Sequence, residues 1–291
     1  MEHNLGAIDA AGILNGTGGE VELLFNSATE KQPDFLQMSS IRLISFNTHY
    51  MKFIHRQEVA RKLLHVSIGL LILFLYSHGF RPLQIASLLF SAFILNATFD
   101  AIRYNSKAVN KIFIRSFGIF MRENEATSYS TSTPYLFGMY IALRYFPEDI
   151  GIVGVLLLSC CDTAASIFGR LYGCHSIQLR HGKSLIGTAA AWLVGVLVAA
   201  GFWGYFLYTS SLSNNTDPAR PFMFTGKLTY LPENSNSGGA STDPLALVVI
   251  SLVSGFVAAG SELVDIFGCD DNLVVPVLST LGLWGFLKIF G

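Results

Sequence analysis

The sequence predicts an all-α protein, a polytopic bundle of about seven transmembrane helices behind a disordered N-terminal tail. Hydrophobic residues make up 51% of the 291-residue chain and charged residues only 13%, against about 25% charged residues in an average soluble protein. The mean hydropathy is +0.47. The apolar residues also come in blocks whose lengths approach the ~20 residues that cross a bilayer as a helix.

Net charge and cysteine spacing exclude several classes of function. The formal net charge is −1, so no overall basic surface indicates a nucleic-acid partner, and we expect none. Cys160 and Cys161 lie in an apolar block, whereas Cys174 and Cys269 stand alone in polar segments. This spacing predicts neither a disulfide framework nor a zinc site.

The chain begins with a polar segment. Residues 1–51 are rich in Gly, Asn, Glu and Ser and lack the pattern of a signal or transit peptide. We predict a disordered cytosolic tail over these residues. Residues 52–291 are then predicted to form one membrane-embedded domain.

Seven apolar blocks are candidate spans. They are Leu63–Phe80, Leu83–Phe99, Pro134–Phe146, Ile150–Phe168, Leu185–Tyr208, Leu245–Gly260 and Leu273–Ile289. The third, with about 13 residues, is shorter than the ~17 residues of a lenient span, so we expect it to be tilted or re-entrant if it does not cross.

Basic residues predict which face of the bundle is cytosolic. Clusters of Lys and Arg precede the first span and follow the second and fourth spans, which places all three clusters on one side. They comprise Lys52, Arg56, Arg61 and Lys62, then Arg103, Lys107, Lys111, Arg115 and Arg122, then Arg170, Arg180 and Lys183. Residues 209–243 are then predicted to form a lumenal loop, where the Asn214-Asn215-Thr216 sequon can be glycosylated. Residues Lys111–Met121 alternate apolar with basic side chains and predict an amphipathic helix in the interface.

The first polar cluster opens the first span. An ionisable side chain at membrane depth costs about 2.5–3.5 kcal/mol on insertion scales, so it needs a partner or a function. Arg61 and Lys62 are adjacent, and His65 follows one turn after Arg61 on the same helix face. Arg as a planar fork and Lys as a point charge can clamp phosphates. The alternative is an ordinary basic flank that snorkels to the headgroups.

The second cluster lies in the fourth span. Asp162, Ser166 and Gly169 are four and three residues apart and therefore share one helix face. Small residues on that face let a nucleotide or another backbone approach closely. The alternative is a small-residue packing seam in which Asp162 pairs with a neighbouring span.

A basic loop follows this span. Its Gly182-Lys183-Ser184 triplet is not a Walker P-loop, because Ile177 stands where that motif requires a glycine. Lys183 can still hold phosphate oxygens together with the backbone N–H groups that open the next helix.

The third cluster is acidic and lies between the last two spans. It contains Glu262, Asp265, Asp270 and Asp271. Carboxylates this close repel one another unless a cation lies among them, and such oxygen ligands suit Mg²⁺ with nucleotide phosphates. The alternative is a solvated acidic loop, in which Asp270 and Asp271 favour the N-terminus of the last span. Cations and carboxylates at one membrane face are what phosphoryl transfer chiefly needs.

At these residues the sequence resembles the CTP-dependent diacylglycerol kinases of the fungal endoplasmic reticulum, relatives of dolichol and phytol kinases and, more distantly, of phosphatidate cytidylyltransferases. The resemblance covers about four fifths of the chain, from about Glu58 to near the C-terminus. It is carried by Arg61-Lys62-Leu-Leu-His65 with Ser67-Ile-Gly69, by Leu158-Ser159 and Asp162-Thr-Ala-Ala, by Ile167-Phe-Gly169-Arg170 with Tyr172-Gly173, by Lys183-Ser184-Leu with Gly187, and by Asp270-Asp271-Asn272 with Val275-Pro276-Val-Leu-Ser279.

The resemblance implies that CTP phosphorylates diacylglycerol to phosphatidate with Mg²⁺ or Ca²⁺, in a multi-pass protein of the endoplasmic reticulum and nuclear membranes. Diacylglycerol, membrane lipid and CTP are the partners it implies, and a homo-oligomer is left open. The matches to the family's nucleotide-using motif are Arg61, Lys62, Asp162 and Gly169. From their chemistry we predict Asp162, Arg61 and Lys62 as catalytic, Asp162 and Asp270 or Asp271 as metal ligands, and Gly169, Arg170, Lys183, Ser184 and Gly187 as nucleotide-binding.

Other readings differ in the acceptor or in the class of protein. Dolichol kinases share the cytidine motif but look longer, with additional N-terminal spans, and phytol kinase would suggest a plastid transit peptide. A phosphatidate cytidylyltransferase would transfer the nucleotide part and release pyrophosphate. A transporter would more often show an inverted repeat, and we find none. A non-catalytic scaffold predicts that Asp162→Asn leaves function intact.

Overall fold

A computed structural model describes residues 58–121, 125, 128–180, 182–210, 220–229, 243–264 and 269–291 of the chain. The predicted disordered tail and the sequon at Asn214 lie outside these residues, as does Asp265 of the acidic cluster.

The described residues form eight α-helices and one two-stranded antiparallel sheet. The elements are α1 (Val59–Ser77), α2 (Pro82–Asn105), α3 (Lys107–Phe117), α4 (Ser132–Tyr145), α5 (Glu148–Tyr172), β1 (Gln178–Arg180), β2 (Lys183–Ser184), α6 (Leu185–Ser210), α7 (Pro244–Leu263) and α8 (Asp271–Phe290).

Six of the described helices, α1, α2 and α5 to α8, are long and apolar enough to cross a membrane. They correspond to six of the seven predicted spans, which confirms an all-α, multi-pass bundle. Leu95 and Leu197, 72% and 62% exposed, are among many large apolar side chains on the outside of the bundle. Such an apolar surface is unfavourable in water and favourable in contact with the hydrocarbon chains of lipids.

The predicted third span is the helix α4. Its 14 residues are about 21 Å long, short of the ~30 Å hydrocarbon core. The connection before it reaches into the bundle, because Arg103 donates to the carbonyl oxygens of Glu125 and Ser128 at 2.8 and 2.7 Å, and Ser130 N donates to Asp100 Oδ2 at 2.7 Å. The non-helical backbone is thus satisfied by buried side chains.

Arg103, a member of the basic cluster after the second predicted span, is buried. Only 2% of its surface is exposed, and it forms an ion pair with Asp100 at 2.6 Å. The amphipathic segment that follows is helical as α3, but the helix begins at Lys107 rather than Lys111. Ser106 caps its N-terminus by accepting from Val109 N.

Helix α5 is the centre of the bundle. Of the 18 residues in its most apolar stretch, 78% are buried, against 22–44% in the corresponding stretches of the other five long helices. It packs on α1, α4, α6 and α8. Near its beginning Asp149 accepts from Trp203 Nε1 at 3.3 Å and from the backbone N–H groups of Met223 and Phe224 at 3.1 and 3.0 Å. This fully buried carboxylate fixes the end of the bundle opposite the three polar clusters.

Candidate active site

The three polar clusters meet at one end of the bundle, the end predicted to be cytosolic. The N-termini of α1, α6 and α8 gather there with the C-terminal parts of α5 and α7. Between them lies a cleft of about 220 Å³ with a largely polar wall. Its lining includes Asp162, Gly169, Arg170, Lys183, Glu262 and Asp271.

Asp162 lies at the back of the cleft and pairs with Lys62. Nζ of Lys62 donates to Asp162 Oδ2 at 2.5 Å, and both residues are less than 9% exposed. Lys62 is therefore a buried partner rather than a snorkelling flank. The second carboxylate oxygen, Oδ1, has Ser166 Oγ at 3.5 Å. Because Ser166 also lines the cleft, this oxygen is on the substrate side of the ion pair.

His65 forms the next layer behind Asp162. Its Nδ1 lies 3.8 Å from Asp162 Oδ2, which is too far for a hydrogen bond. The imidazole stacks on the Tyr135 ring with centroids 4.0 Å apart. The hydroxyl of Tyr135 donates to the carbonyl oxygen of His65 at 3.0 Å and contacts Ser159 Oγ at 3.2 Å. The short helix α4 thus holds the start of α1 against α5.

Arg61 reaches the cleft only through a second acid. Glu58 forms ion pairs with Arg61 and, at 2.7 Å, with Arg170. Its backbone is left-handed, with φ 53°, an uncommon conformation for a residue other than glycine. Arg61 is 4% exposed, and its Nε has no hydrogen-bond partner within the described residues. One carboxylate therefore joins two guanidinium groups, of which Arg170 lines the cleft.

A β-hairpin carries Lys183 into the cleft. Strands β1 and β2 pair across a turn at Gly182, whose φ of +78° is in the left-handed region that glycine tolerates. Lys183 Nζ donates to Asp271 Oδ2 at 2.9 Å and to the backbone carbonyl of Glu262, and lies 3.7 Å from Glu262 Oε1. The lysine thus connects the hairpin to the junction of α7 and α8.

Ser184 and Gly187 shape the beginning of α6. Ser184 Oγ accepts from Gly187 N at 3.2 Å, which is an N-cap. A Cβ on Gly187 would lie 2.8 Å from the carbonyl oxygen of Ala165, whereas a Cβ on Gly169 would meet only Ser184 Oγ, at 3.5 Å, and Gly187 Cα, at 3.7 Å. Gly187 therefore allows α5 and α6 to cross closely. Both glycines also line the cleft, and their contact with a nucleotide stays a prediction.

The carboxylates of the acidic cluster have different contacts. Asp270 Oδ1 accepts from Asn272 N at 2.9 Å and caps α8, whereas Asp271 faces the cleft beside Lys183. Glu262 is 8% exposed, and its Oε2 is buried without a hydrogen-bond partner among the described residues. No three His, Cys, Asp or Glu side chains in the described part of the chain are close enough together to form a complete metal site. The metal-ligand assignments stay predictions.

Sequence reasoning left three residues out of the predicted site. Glu262 could have been singled out, since it is an acid at the end of an apolar block, but the predicted metal ligands were Asp162 and Asp270 or Asp271. His65 and Glu58 were visible within the first cluster. Their partners, Tyr135 and Arg170, lie 70 and 112 residues away along the chain, so no local pattern revealed these contacts.

Known proteins resemble the chain over most of its length. It is 35% identical over 238 residues to the CTP-dependent diacylglycerol kinase 1 of Saccharomyces cerevisiae, covering 82% of this chain and 76% of the relative. The protein of that name in Eremothecium gossypii is 38% identical over 229 residues, covering 79% and 67%. That of Schizosaccharomyces pombe is 34% identical over 229 residues, covering 79% and 93%. No family model and no solved structure matches the chain.

Proposed function

The chain belongs to the family of CTP-dependent diacylglycerol kinases, and from this premise we propose that its cleft transfers the terminal phosphoryl group of CTP to the free hydroxyl of diacylglycerol. The products are CDP and phosphatidate. One observation carries the proposal beyond the family name: a cleft at one end of a membrane bundle contains paired cations and carboxylates, centred on Asp162 and Lys183. The relatives give no support to the dolichol kinase, cytidylyltransferase or transporter alternatives.

The cations of the cleft are suited to the phosphates of CTP. Phosphoryl transfer is catalysed mainly by positioning the reactants and neutralising charge on the transferred group. Lys183 and Arg170 line the cleft with donors, and Lys62 reaches it through Asp162. Each of these cations faces a carboxylate in the structure. We infer that phosphate oxygens replace some of these carboxylates when CTP binds.

Arg61 and Arg170 offer the clearest exchange. Both guanidinium groups share the carboxylate of Glu58, and a guanidinium binds phosphate as readily as carboxylate through the same fork. A phosphate placed at this edge of the cleft would compete with Glu58 for Arg170 and, once Glu58 is displaced, for Arg61. This role keeps Arg61 in the predicted catalytic set although it lies behind the wall of the cleft.

A divalent cation fits the carboxylates of the cleft. Asp162, Glu262 and Asp271 all line it, and Oε2 of Glu262, which has no hydrogen-bond partner among the residues that the structure describes, is an available oxygen ligand. Oxygen ligands of this kind suit Mg²⁺ or Ca²⁺ shared with nucleotide phosphates. We propose that each of these three carboxylates can supply a ligand to a cation that enters with CTP, whose phosphates would complete the coordination because the three do not form a metal site by themselves; Asp270 is less suited because it caps α8. The cation would neutralise charge on the phosphates. In the structure Lys62 and Lys183 offset the repulsion between the carboxylates.

The membrane location is a separate proposal. We infer that the protein resides in the endoplasmic reticulum and nuclear membranes with the cleft toward the cytosol, where CTP is available. The basic clusters around the cleft support this orientation. Fluorescence microscopy of the tagged chain tests the location, and protease accessibility of a tag in the segment 211–219 tests the orientation. Light scattering on the detergent-solubilised protein tests whether copies associate.

Activity is tested on the purified full chain in detergent micelles containing diacylglycerol and Mg²⁺. γ-Labelled CTP and γ-labelled ATP are supplied in parallel, and the label is followed into lipid. We expect labelled phosphatidate with CTP only, and its loss in Asp162→Asn. Asp243→Asn is the matched control, since Asp243 caps the distant start of α7 by accepting from Leu245 N and asparagine caps equally well. Failure to label either diacylglycerol or dolichol from CTP would refute a lipid kinase.

A further inference from the structure

The β-hairpin beside the cleft and the residues that flank it carry apolar side chains on their outer surface. Ile177, Leu179 and Leu185 are 70%, 45% and 45% exposed. Ile177 lies opposite Leu185, because Leu185 N donates to the carbonyl oxygen of Ile177 at 2.9 Å. Exposed apolar side chains that lie together mark a contact with a membrane or with another protein. We call these three residues the hairpin patch.

The hairpin lies level with the ends of two membrane-spanning helices. Leu185 is the first residue of α6. Arg180 Nη1 donates at 3.1 Å to the carbonyl oxygen of Leu263, the last residue of α7. The apolar part of α6, Leu185–Tyr205, has 21 residues and is about 31 Å long, which matches the ~30 Å hydrocarbon core. The hairpin patch therefore lies at the boundary between the hydrocarbon core and the headgroups.

The hairpin patch continues the lipid-facing surface of α6. Leu185, Leu193 and Leu197 are exposed, and they are eight and four residues apart, so they lie on one side of the helix. Its other sides pack against α5 and α7. Leu185 begins this exposed row, and Ile177 extends it beyond the start of the helix. The surface that meets lipid along α6 thus ends on the hairpin.

The charges around the patch suit lipid headgroups. The sequence contains no acidic residue between Asp162 and Leu185, and Arg170 and Arg180 are exposed within this stretch. Basic side chains at a membrane surface attract the phosphates of lipid headgroups. Apolar side chains with cations nearby are typical of segments that lie in the membrane interface.

We propose that the hairpin patch inserts into the membrane interface at the cleft end of the bundle and anchors the hairpin there. Its side chains lie at the boundary between headgroups and acyl chains, where burial of apolar surface is favourable. The same hairpin carries Lys183, so the anchor holds this lysine at the level of the headgroups. Diacylglycerol presents its hydroxyl at that level, a consequence that rests on the proposed function. The insertion itself requires no catalytic activity.

Photo-crosslinking tests the insertion. The full chain, with para-benzoylphenylalanine in place of Ile177, is reconstituted in nanodiscs of dioleoylphosphatidylcholine and irradiated, and lipid adducts are measured by intact-mass spectrometry. The same probe at Leu197 is the reference for a lipid-facing position. The probe at Gln178 is the matched control, since the Gln178 side chain turns back and donates to the carbonyl oxygen of Gly173 at 3.3 Å. We expect the lipid adduct at position 177 to equal that at 197 and to exceed that at 178 several-fold.

Each other outcome decides between the insertion and its alternatives. A lipid adduct at position 177 no larger than that at 178 overturns the insertion, as does a crosslink to a second copy or to another segment of the chain, which means that protein covers the patch. If the probe at Ile177 prevents folding, the probe at Leu179 must give the lipid adduct. Because the assay measures no phosphorylation, an inactive protein with the expected adduct overturns the proposed function and leaves the insertion standing.

Discussion

The Lys62–Asp162 ion pair gives a prediction in which stability and catalysis change independently. Lys62→Met removes the ammonium group and leaves the Asp162 carboxylate buried without its ion-pair partner, with the imidazole of His65 3.8 Å away. Breaking a buried pair by removing one partner costs about 3–5 kcal/mol. For a chain of this size 1 kcal/mol shifts the melting temperature by about 2–4 °C, so we expect a decrease of roughly 10 °C.

The double variant Lys62→Met/Asp162→Asn tests the reasoning. Replacing both partners with uncharged side chains of similar size removes the unpaired buried charge, so most of the lost stability should return. Activity should not return, because both residues are placed in the catalytic set. The assays are thermal unfolding in detergent, followed by size-exclusion chromatography, and label transfer from CTP. A double variant as unstable as Lys62→Met, or one that regains activity, would refute the reasoning.

Three further predictions concern other parts of the molecule. Gly187→Ala should lower the free energy of unfolding by about 1–3 kcal/mol, because its Cβ would meet the Ala165 carbonyl oxygen at 2.8 Å. Gly169→Ala should change the melting temperature by only a few degrees but raise KM for CTP. Equal destabilisation by the two variants would contradict this. Lys183→Met should raise KM for CTP about 10- to 100-fold, the loss of one charge-assisted contact, with partial recovery in Lys183→Arg; an unchanged KM would remove Lys183 from the nucleotide site. Asp149→Asn should lower the melting temperature by several degrees, because both carboxylate oxygens accept from backbone N–H groups and whichever one is replaced by NH2 would face such a donor; KM for CTP should be unchanged at low temperature.

Blocks of apolar residues predicted most of the fold. Six spans follow from length and hydropathy alone, because a helix that faces lipid has to be apolar over its whole length. The third span could not be predicted with the same precision. The connection before it is held by Asp100 and Arg103, which satisfy its backbone from a different helix, and a short stretch of sequence around α4 does not contain that contact.

Residues of the candidate site could be predicted where an ionised side chain lies in an apolar block. They could not be predicted where the contact partner lies far away along the chain. Asp162 stood out because an ionised group inside an apolar block needs a partner, and Lys62 because it opens the first span beside Arg61; the two pair across 100 residues of sequence. Asp270 and Asp271 could not be separated, since only the exact start of α8 decides which one caps the helix and which one faces Lys183. Glu58 could not be predicted as part of the site, because its position depends on a left-handed backbone conformation that glutamate rarely adopts.

The fate of each phosphate of CTP tests the central claim most directly. α-Labelled and γ-labelled CTP are supplied in parallel to the purified full chain with diacylglycerol and a divalent cation, and the products are separated into lipid and nucleotide. We predict that the γ label appears in phosphatidate and that the α label remains in CDP. Recovery of the α label in lipid, with release of pyrophosphate, would instead mean cytidylyl transfer and contradict the account.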